Sequence, residues 1–450
     1  MAALPAARPG TRLRVLATTD LGASLVPIRT SYGLGGTCAG VVELLVRERE
    51  RQPTVWLDAG DLVVGPTGML LGERAWADIA RLPVDAAAAG NHEFDDGVPA
   101  LLEAAAGLGF PLLCANLDLG LPGSALLDTP VGGLGVIGLT HPHADRLSRA
   151  PRPAAGWRER VAPLAAELRG RGAAWVVAVL HDGVDWWPSG DPAGPVAARP
   201  DRLAREVTPW ADAVDLIVGG HVPAGWTGTL AGTPAVHAAI FAASVAVIDL
   251  PEPPGRPGLR GVFPVPPERP RHRSAAVDAL DAAEAEVAGE SAHDWVARPG
   301  AARYLPDLIA EALRVATGAD AGFALAGQHA TQGALDGVVA ALPAGPVTRL
   351  DLARLFPYDD RPAVAELHPG ELAAVVAAHD AHADPLASGS DGLWWNWARM
   401  RAGVAAGTAE PRTVALVPFA VPRLGELLGR ELISRRVDVS LGETLLRVVR

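Results

Sequence analysis

The sequence contains very few cysteines. Only Cys38 and Cys114 occur among 450 residues, each flanked by small or apolar residues. Two cysteines are too few for the disulfide framework that stabilises many secreted domains. Their surroundings predict two buried free thiols.

A long apolar segment is also missing. Residues 1–12 contain Pro5 and Pro9 and have no continuous apolar stretch followed by a cleavage site, so they do not resemble a secretory signal. We find no run long enough for a transmembrane helix either. The sequence therefore predicts a cytoplasmic protein without a membrane partner.

Positive charge is in deficit, since 39 Lys and Arg residues face 51 Asp and Glu residues and the formal net charge is −12. This balance disfavours a nucleic-acid polymer as partner. Hydrophobic residues make up 49% of the chain and charged residues 20%, which predicts a folded protein. A length of 450 residues exceeds one ordinary core, so we expect two domains.

Several short apolar runs end at polar residues. Each run has the length and composition of a buried strand, and they span residues 13–17, 54–59, 84–89, 112–115, 135–139, 175–180 and 213–218. The polar residues at or just beyond their ends include Asp20, Asp61, Asn91, His92, His181 and His221. The carboxyl ends of strands in α/β sheets carry sites, so this set predicts a site more readily than a series of caps and turns.

The residue types in this set suit a divalent metal such as Mn, Fe, Co or Zn. Asp61 can bridge two ions, and Asn91, His181 and His221 complete a four-ligand site around one of them. His92 follows Asn91 directly and could donate a proton to a leaving oxygen, so we count both as catalytic candidates. Hydrolysis of a phosphate ester is the reaction that such a site favours.

Other segments carry weaker patterns. Residues 251–273 are dense in Pro, Gly and Arg and predict a linker without regular structure. Helical patterning covers residues 37–51, 275–287, 304–317 and 370–379. The first of these helices ends in the charged run R-E-R-E-R, which predicts a solvated last turn.

The order of these motifs resembles the calcineurin-like metallophosphoesterases and, more narrowly, their 5′-nucleotidase group. The matching motifs are D-x-x at Asp20, G-G at 35–36, G-D at 60–61, G-N-H-E-F-D-D-G at 90–97, A-N-L at 115–117, the single His181, G-H at 220–221 and G-T-P at 232–234. Beyond the linker, residues 308–320 and F-P-Y-D-D at 356–360 resemble the C-terminal domain of that group.

The resemblance implies a four-layer α/β/β/α sandwich in residues 1–250, a linker at 251–273 and a smaller α+β substrate-recognition domain in residues 274–450. It implies hydrolysis of a phosphate ester on a nucleotide or a nucleotide-like small metabolite. The missing signal predicts that this occurs inside the cell, and the departures from the family motifs described below predict a task in a specialised biosynthetic pathway. A different single-metal reaction on the same scaffold and a catalytically silent nucleotide-binding or metal-binding protein are the alternatives. The oligomeric state stays open.

Two departures from the family motifs affect the same metal ion. The first family motif is Asp-x-His, but Gly22 stands where the histidine is expected. The last family motif is Gly-His-x-His or Gly-His-x-Gln, but Pro223 stands at its final position. The first ion would keep only Asp20 and Asp61, so we expect one bound ion and leave a second open.

Three further histidines are candidates near the site. His237 is a possible replacement ligand, although a buried histidine bonded to the backbone is the competing interpretation. His141 and His143 flank a proline, so they belong to a substrate contact or to an ordinary surface loop.

The second domain departs from its family pattern as well. The family's Asn-x-Gly-Gly-x-Arg stretch is replaced by A-L-A-G-Q-H-A at 324–330, which has no arginine. We expect Gln328 and His329 near the substrate instead. Tyr358, Trp394 and Trp395 could stack on a base, with core packing as the alternative for the tryptophans.

Overall fold

The computed structural model describes residues 4–30, 33–188, 196–222, 224–296, 302–303, 305–323, 341–356, 361–368, 370–372, 401–402, 412–418 and 421–449. The chain forms two compact units. The first comprises Met1–Ile28, Leu34–Trp186 and Ala198–Asp281, and the second comprises Arg29–Gly33, Trp187–Ala197 and Ala282–Arg450.

The strands up to residue 264 are β1 (Thr11–Thr18), β2 (Arg29–Thr30), β3 (Gly33–Leu34), β4 (Thr54–Asp58), β5 (Ala86–Ala88), β6 (Leu112–Leu113), β7 (Ser124–Thr129), β8 (Gly132–Leu139), β9 (Ala173–Leu180), β10 (Asp185–Pro188), β11 (Val196–Arg199), β12 (Leu216–Gly219), β13 (Trp226–Leu230), β14 (Thr233–His237), β15 (Ser244–Pro251) and β16 (Gly258–Pro264). The later strands are β17 (Val287–Ser291), β18 (Trp295–Val296), β19 (Ala321–Phe323), β20 (Ala341–Leu342), β21 (Gly345–Thr348), β22 (Ala363–Leu367), β23 (Arg401–Ala402), β24 (Arg412–Leu416) and β25 (Ser434–Arg436).

The helices are α1 (Cys38–Arg51), α2 (Pro66–Leu71), α3 (Trp76–Ile79), α4 (Val98–Gly107), α5 (Ala144–Leu147), α6 (Arg158–Gly170), α7 (Asp201–Val207), α8 (Ala275–Ala285), α9 (Leu305–Thr317), α10 (Arg349–Leu355), α11 (Val421–Leu428) and α12 (Leu441–Val448). Short 3₁₀ turns lie at Gly72–Ala75, His92–Phe94 and Ala211–Ala213. The first long helix begins where the sequence predicts, because the Thr37 side chain accepts a hydrogen bond from the Gly40 backbone and caps it.

Two six-stranded sheets form the centre of the first unit. Their strand orders are β16-β15-β1-β4-β5-β6 and β13-β14-β12-β9-β8-β7. β1, β4, β5 and β6 are parallel in the first sheet, as are β14, β12, β9 and β8 in the second. The carboxyl ends of these strands therefore meet at one edge of each sheet.

Alternating side chains join the two sheets face to face. Leu13, Val15 and Ala17 of β1 share one buried cluster with Val177 and Val179 of β9. Each fully buried Val or Leu stabilises the fold by about 1.5–3 kcal/mol relative to an exposed one. The opposite face of the second sheet packs on α6 and α7, and α1 packs beside β4. The predicted four-layer α/β/β/α sandwich is confirmed.

The charged end of α1 differs from the prediction. Glu48 lies in the run that we expected to be solvated, but only 2% of its side chain is exposed, and it pairs with Arg14 of β1. Arg14 also donates from Nε to Asp249 Oδ1 over 2.9 Å. Removing one member of such a group strands a buried charge, which costs about 3–5 kcal/mol. The prediction of a solvated last turn is therefore wrong for Glu48.

Part of the predicted linker is a strand. Within residues 251–273, Gly258–Pro264 forms β16 and pairs antiparallel with β15. β16 is the outermost strand of its sheet, and an edge strand tolerates Pro and Gly because one side needs no backbone partner. The expectation that this segment lacks regular structure is wrong for β16.

The second unit has mixed α and β structure, as predicted. Its five-stranded sheet has the order β23-β19-β24-β22-β25. Ile309 and Leu313 of α9, Leu445 of α12 and Val414 of β24 belong to the same buried cluster. Of the helix predicted at residues 370–379, only 370–372 lie among the described residues.

Both cysteines are buried free thiols, as predicted from their surroundings. Burial raises the pKa of Cys38 and of Cys114 to about 12. Among the helices in the described part of the chain, none has the length and apolar composition needed to cross a bilayer.

Candidate metal centre

The strand ends bring four of the predicted ligands close together. Gly219 of β12 lies opposite Leu180 of β9 in the parallel register, so His181 and His221 follow neighbouring strands. Ligand atoms of Asp61, His181 and His221 all lie within 4.8 Å of one another. His181 Nε2 is 3.1 Å from Asp61 Oδ2 and 3.1 Å from Asn91 Oδ1. These donors fit a single divalent ion.

The orientation of His181 suits a metal ligand. Its Nδ1 lies 2.7 Å from the carbonyl oxygen of Ala59. Because a carbonyl oxygen only accepts, Nδ1 carries the proton, and Nε2 presents its lone pair to Asp61 when the ring is neutral. Burial disfavours a charged His181, but the Asp61 carboxylate raises its pKa to about 10. The cluster thus has a negative field that favours a cation.

Asp61 uses its two carboxylate oxygens differently. Oδ1 accepts a hydrogen bond from the His92 backbone N–H over 2.8 Å, whereas Oδ2 faces His181. Burial pushes the pKa of Asp61 upwards, but His181 and His92 together hold it below its usual value. The residue is 1% exposed. One oxygen is therefore anchored to the backbone and the other is directed to the ligand cluster.

Glu93 connects the loop after β4 with the loop after β5 by hydrogen bonds to their backbones, a role that the sequence reasoning missed. Its carboxylate accepts backbone N–H groups of Asp61 at 2.9 Å, Leu62 at 2.7 Å and Gly90 at 2.5 Å. A Cβ on Gly90 would lie 2.1 Å from Asp61 Oδ1, so only glycine fits there. The sequence motif at residues 90–97 contained a signal for this role, because a glutamate directly follows its Gly-Asn-His triplet.

His92 lies beside the cluster and contacts a carboxylate of its own. Its Nδ1 is 2.8 Å from Asp95 Oδ2, and 17% of its side chain is exposed. Burial lowers the pKa of His92, but Asp61 and Asp95 more than offset this and raise it to about 9. Asp95 is a second residue of the stretch 90–97 to which the sequence assigned no role.

The Asp20 carboxylate lies near the cluster but already accepts a hydrogen bond from a backbone N–H group. Its Oδ2 accepts the His221 N–H over 2.9 Å and also the Thr19 hydroxyl. Burial raises its pKa to about 7. Asp20, Asp61 and His221 have φ angles of 47°, 60° and 65°, a left-handed region that costs about 1–3 kcal/mol for such residues and is concentrated at functional sites.

The space around the Gly22 Cα is already filled by neighbouring atoms. Its φ is 56°, and a Cβ there would lie 2.2 Å from the Val64 carbonyl oxygen and 2.8 Å from Phe241 Cδ1. Phe241 itself is 3% exposed. No side chain fits at Gly22 without movement of the Val64 backbone, so the residues on this side do not fit a second ion. Pro223 lies outside the described residues.

His237 and His141 have other partners. His237 Nε2 accepts the Val184 N–H over 3.3 Å, and the residue is not among the ligand group found in the described ranges. The His141 ring lies 4.6 Å from the His221 ring, centroid to centroid, and its Nδ1 accepts the His143 N–H over 3.0 Å. His141 thus packs against the predicted ligand His221, and the Nδ1 lone pair of His141 is already used.

The predicted substrate contacts in the second unit cannot be placed. Gln328, His329, Tyr358, Trp394 and Trp395 all lie outside the described residues.

Known proteins are similar to this chain in sequence and in fold. The family model for calcineurin-like phosphoesterase matches residues 13–225. The snake venom 5′-nucleotidase of Crotalus adamanteus is 29% identical over 246 residues, which are 49% of this chain and 38% of that protein. The chain spans only 13% and 38% of the length of the two curated relatives that it matches.

Two solved structures show how widely the fold is shared. A 5′-nucleotidase precursor of Thermus thermophilus has a TM-score of 0.72 at 19% identity, over 97% of this chain and 96% of that one. The sulfate thiohydrolase SoxB of Thermus thermophilus has a TM-score of 0.66 at 15% identity, over 99% and 96%. Residues 13–225 therefore match the calcineurin-like phosphoesterase family model, and the chain has a fold similar to that of solved 5′-nucleotidases.

Proposed function

We propose that this protein hydrolyses a phosphate monoester of a nucleotide or nucleotide-like small metabolite, using one divalent ion held by Asp61, Asn91, His181 and His221. The observation that carries the proposal is the convergence of Asp61, His181 and His221 within 4.8 Å. An ion bound there supplies Lewis-acid polarisation of the phosphoryl group and an activated water. Mn, Fe, Co and Zn are the candidate ions.

His92 is the proposed general acid, acting on the leaving oxygen. Its Nδ1 contact with Asp95, at 2.8 Å, fixes the ring orientation. Its backbone N–H is bonded to Asp61, so the ring is held next to the ligand cluster. Donation of a proton to the leaving alkoxide by a positioned histidine contributes typically about 10²–10⁴-fold.

A single ion is supported by the residues on the Asp20 side. Gly22 has no room for a ligand side chain, and one oxygen of Asp20 already accepts two hydrogen bonds. Pro223 provides no donor atom in its side chain. Asp20 and Asp61 alone would leave a second ion with two carboxylates, too few ligands to hold it firmly.

The nucleotide-like substrate is inferred from the second unit, whose fold accompanies the catalytic unit in 5′-nucleotidases. Catalysis in residues 1–250 and substrate recognition in residues 274–450 remain proposals from the sequence, as does the cytoplasmic location. The predicted linker 251–273 is interrupted by β16 at Gly258–Pro264. The lack of an arginine in residues 324–330 favours a substrate other than an ordinary nucleoside 5′-monophosphate. Hydrolysis of another bond is the alternative, because the fold also occurs in a sulfate thiohydrolase and does not by itself fix the reaction.

A phosphate-release screen tests this proposal. Metal-free protein is supplied with Mn, Co, Fe or Zn in turn and is offered nucleotides, sugar phosphates and an S-sulfonate (R–S–SO₃⁻). We expect inorganic phosphate from at least one phosphorylated substrate, only when an ion is present. Turnover of the S-sulfonate alone would establish the alternative, and nucleotide binding without any turnover would establish a silent binding protein.

A further inference from the structure

An ion pair between a buried aspartate and a partly exposed arginine lies beside the loop that carries His181. Arg202 of α7 donates from Nη1 to Asp182 Oδ2 over 2.9 Å and from Nη2 to Asp182 Oδ1 over 2.7 Å. Its Nε donates to Asp185 Oδ2 over 2.9 Å. The Asp182 side chain is 1% exposed, and that of Arg202 is 28% exposed. Bidentate pairs of this kind fix geometry as well as charge.

Asp182 also connects the two strand ends that carry histidines. It directly follows His181, and its backbone carbonyl accepts the Gly220 N–H over 2.9 Å. Gly220 in turn directly precedes His221. The loop after β9 and the loop after β12 are therefore tied together at Asp182.

The carboxylate of Asp182 lies against the histidine cluster. Its Oδ1 is 3.9 Å from His141 Nε2, and the His141 ring packs 4.6 Å from the His221 ring. A buried carboxylate so close to an ion site would compete as a ligand if it were unpaired. Arg202 engages both of its oxygens, which leaves the site to Asp61, Asn91, His181 and His221.

His221 needs such support because its backbone has a φ of 65°. A non-glycine residue holds this conformation only when its surroundings over-determine it. The Asp182–Gly220 bond lies on one side of His221, and the bond from its own N–H to Asp20 holds the other.

From this arrangement we infer that Asp182 and Arg202 are positioning residues that set the geometry of His181 and His221 for the ion. The inference rests on the proposed function, since it requires an ion at this site. Neither residue is assigned a contact with the substrate. Outer-sphere partners of metal ligands typically alter metal affinity by about 10–100-fold.

The chain offers a matched control at the other end of the same two strands. Arg169 Nη2 donates to Asp215 Oδ2 over 3.1 Å, and the same oxygen accepts the Val176 N–H of β9 over 2.7 Å. This pair ties β9 to the residues before β12, far along the strands from the ligands. Arg169→Gln should disturb folding in a similar way without changing the ion site.

The test measures Co²⁺ binding to four metal-free proteins: wild type, Arg202→Gln, Arg202→Lys and Arg169→Gln. Calorimetry gives the affinity, and the visible absorption of bound Co²⁺ reports the geometry of the site. We expect Arg202→Gln to weaken Co²⁺ binding by about 10–100-fold and to shift the absorption band. Arg202→Lys, which keeps the charge but not the fork, should show a smaller change in the same direction. Arg169→Gln should stay within about twofold of wild type.

Wild-type affinity and an unchanged band in both Arg202 variants would overturn the inference while leaving the proposed function intact. Equal losses in Arg202→Gln and Arg169→Gln would also overturn it, because the effect would then be one of general stability. If wild type binds no Co²⁺ and releases no phosphate with any ion, the proposed function itself fails.

Discussion

Replacing His181 with alanine should remove the bound ion and, with it, nearly all turnover. The imidazole is fully buried, and its Nε2 lies 3.1 Å from both Asp61 Oδ2 and Asn91 Oδ1. Loss of outer partners alone costs about 10–100-fold in metal affinity, so loss of a ligand should cost more than about 100-fold. The measurement is metal content per chain after dialysis, together with the calorimetric Kd.

His237→Ala is the matched control for this variant. His237 is also a buried histidine, 1% exposed, and it ends a strand of the same sheet. Its Nε2 accepts a backbone N–H, so we expect His237→Ala to lose stability but keep the ion. Retention of a full ion by His181→Ala, or loss of it by His237→Ala, would contradict the ligand assignment.

The second large effect concerns proton donation. His92→Ala should lower turnover by about 10²–10⁴-fold, the usual contribution of a positioned general acid. Affinity for the ion should change by no more than a few fold, because the His92 ring is not among the four proposed ligands and is oriented by Asp95 through its Nδ1. Steady-state kinetics and calorimetry on the same preparation separate the two effects.

The leaving group gives the sharper readout for His92. An ester with a good leaving group, such as p-nitrophenyl phosphate, needs little protonation and should be affected far less than an alkyl phosphate. Asp95→Asn should show a weaker form of the same pattern, whereas the exposed neighbour Asp96 should tolerate the same change. An equal loss on both esters would contradict the general-acid role.

The strand ends could be predicted from sequence because local patterns determine them. Apolar runs of strand length end beside Asp61, Asn91, His181 and His221, and parallel strands bring their carboxyl ends to one edge. The structure brings Asp61, His181 and His221 together as this rule implies. Metal binding at these residues remains a proposal.

The supporting contacts could not be predicted, because they join segments far apart in the chain. Glu93 bonds to the backbone of Asp61 and Leu62, about thirty residues away; the motif at residues 90–97 includes Glu93 but does not show which backbone groups it binds. The charged neighbours of Glu48 predict solvent exposure, yet Glu48 is buried in an ion pair with Arg14 of β1. Composition reports average exposure and not the partner of one carboxylate.

The filled space around Gly22 is another feature that could not be predicted from the sequence. The sequence reveals that the expected histidine is missing, but only the structure shows that Phe241 and the Val64 carbonyl fill the space beside it. Likewise, Pro and Gly content predicted a linker where an edge strand, β16, forms, because the edge position of a strand depends on the order of the whole sheet.

The most direct test is to locate and count the ions by anomalous scattering from crystals grown with Mn²⁺ or Co²⁺. The account predicts one strong peak per chain, within coordination distance of Asp61, Asn91, His181 and His221. Two peaks of equal strength, or an ion that takes Asp20 as a ligand in place of its bond to the His221 backbone, would contradict it.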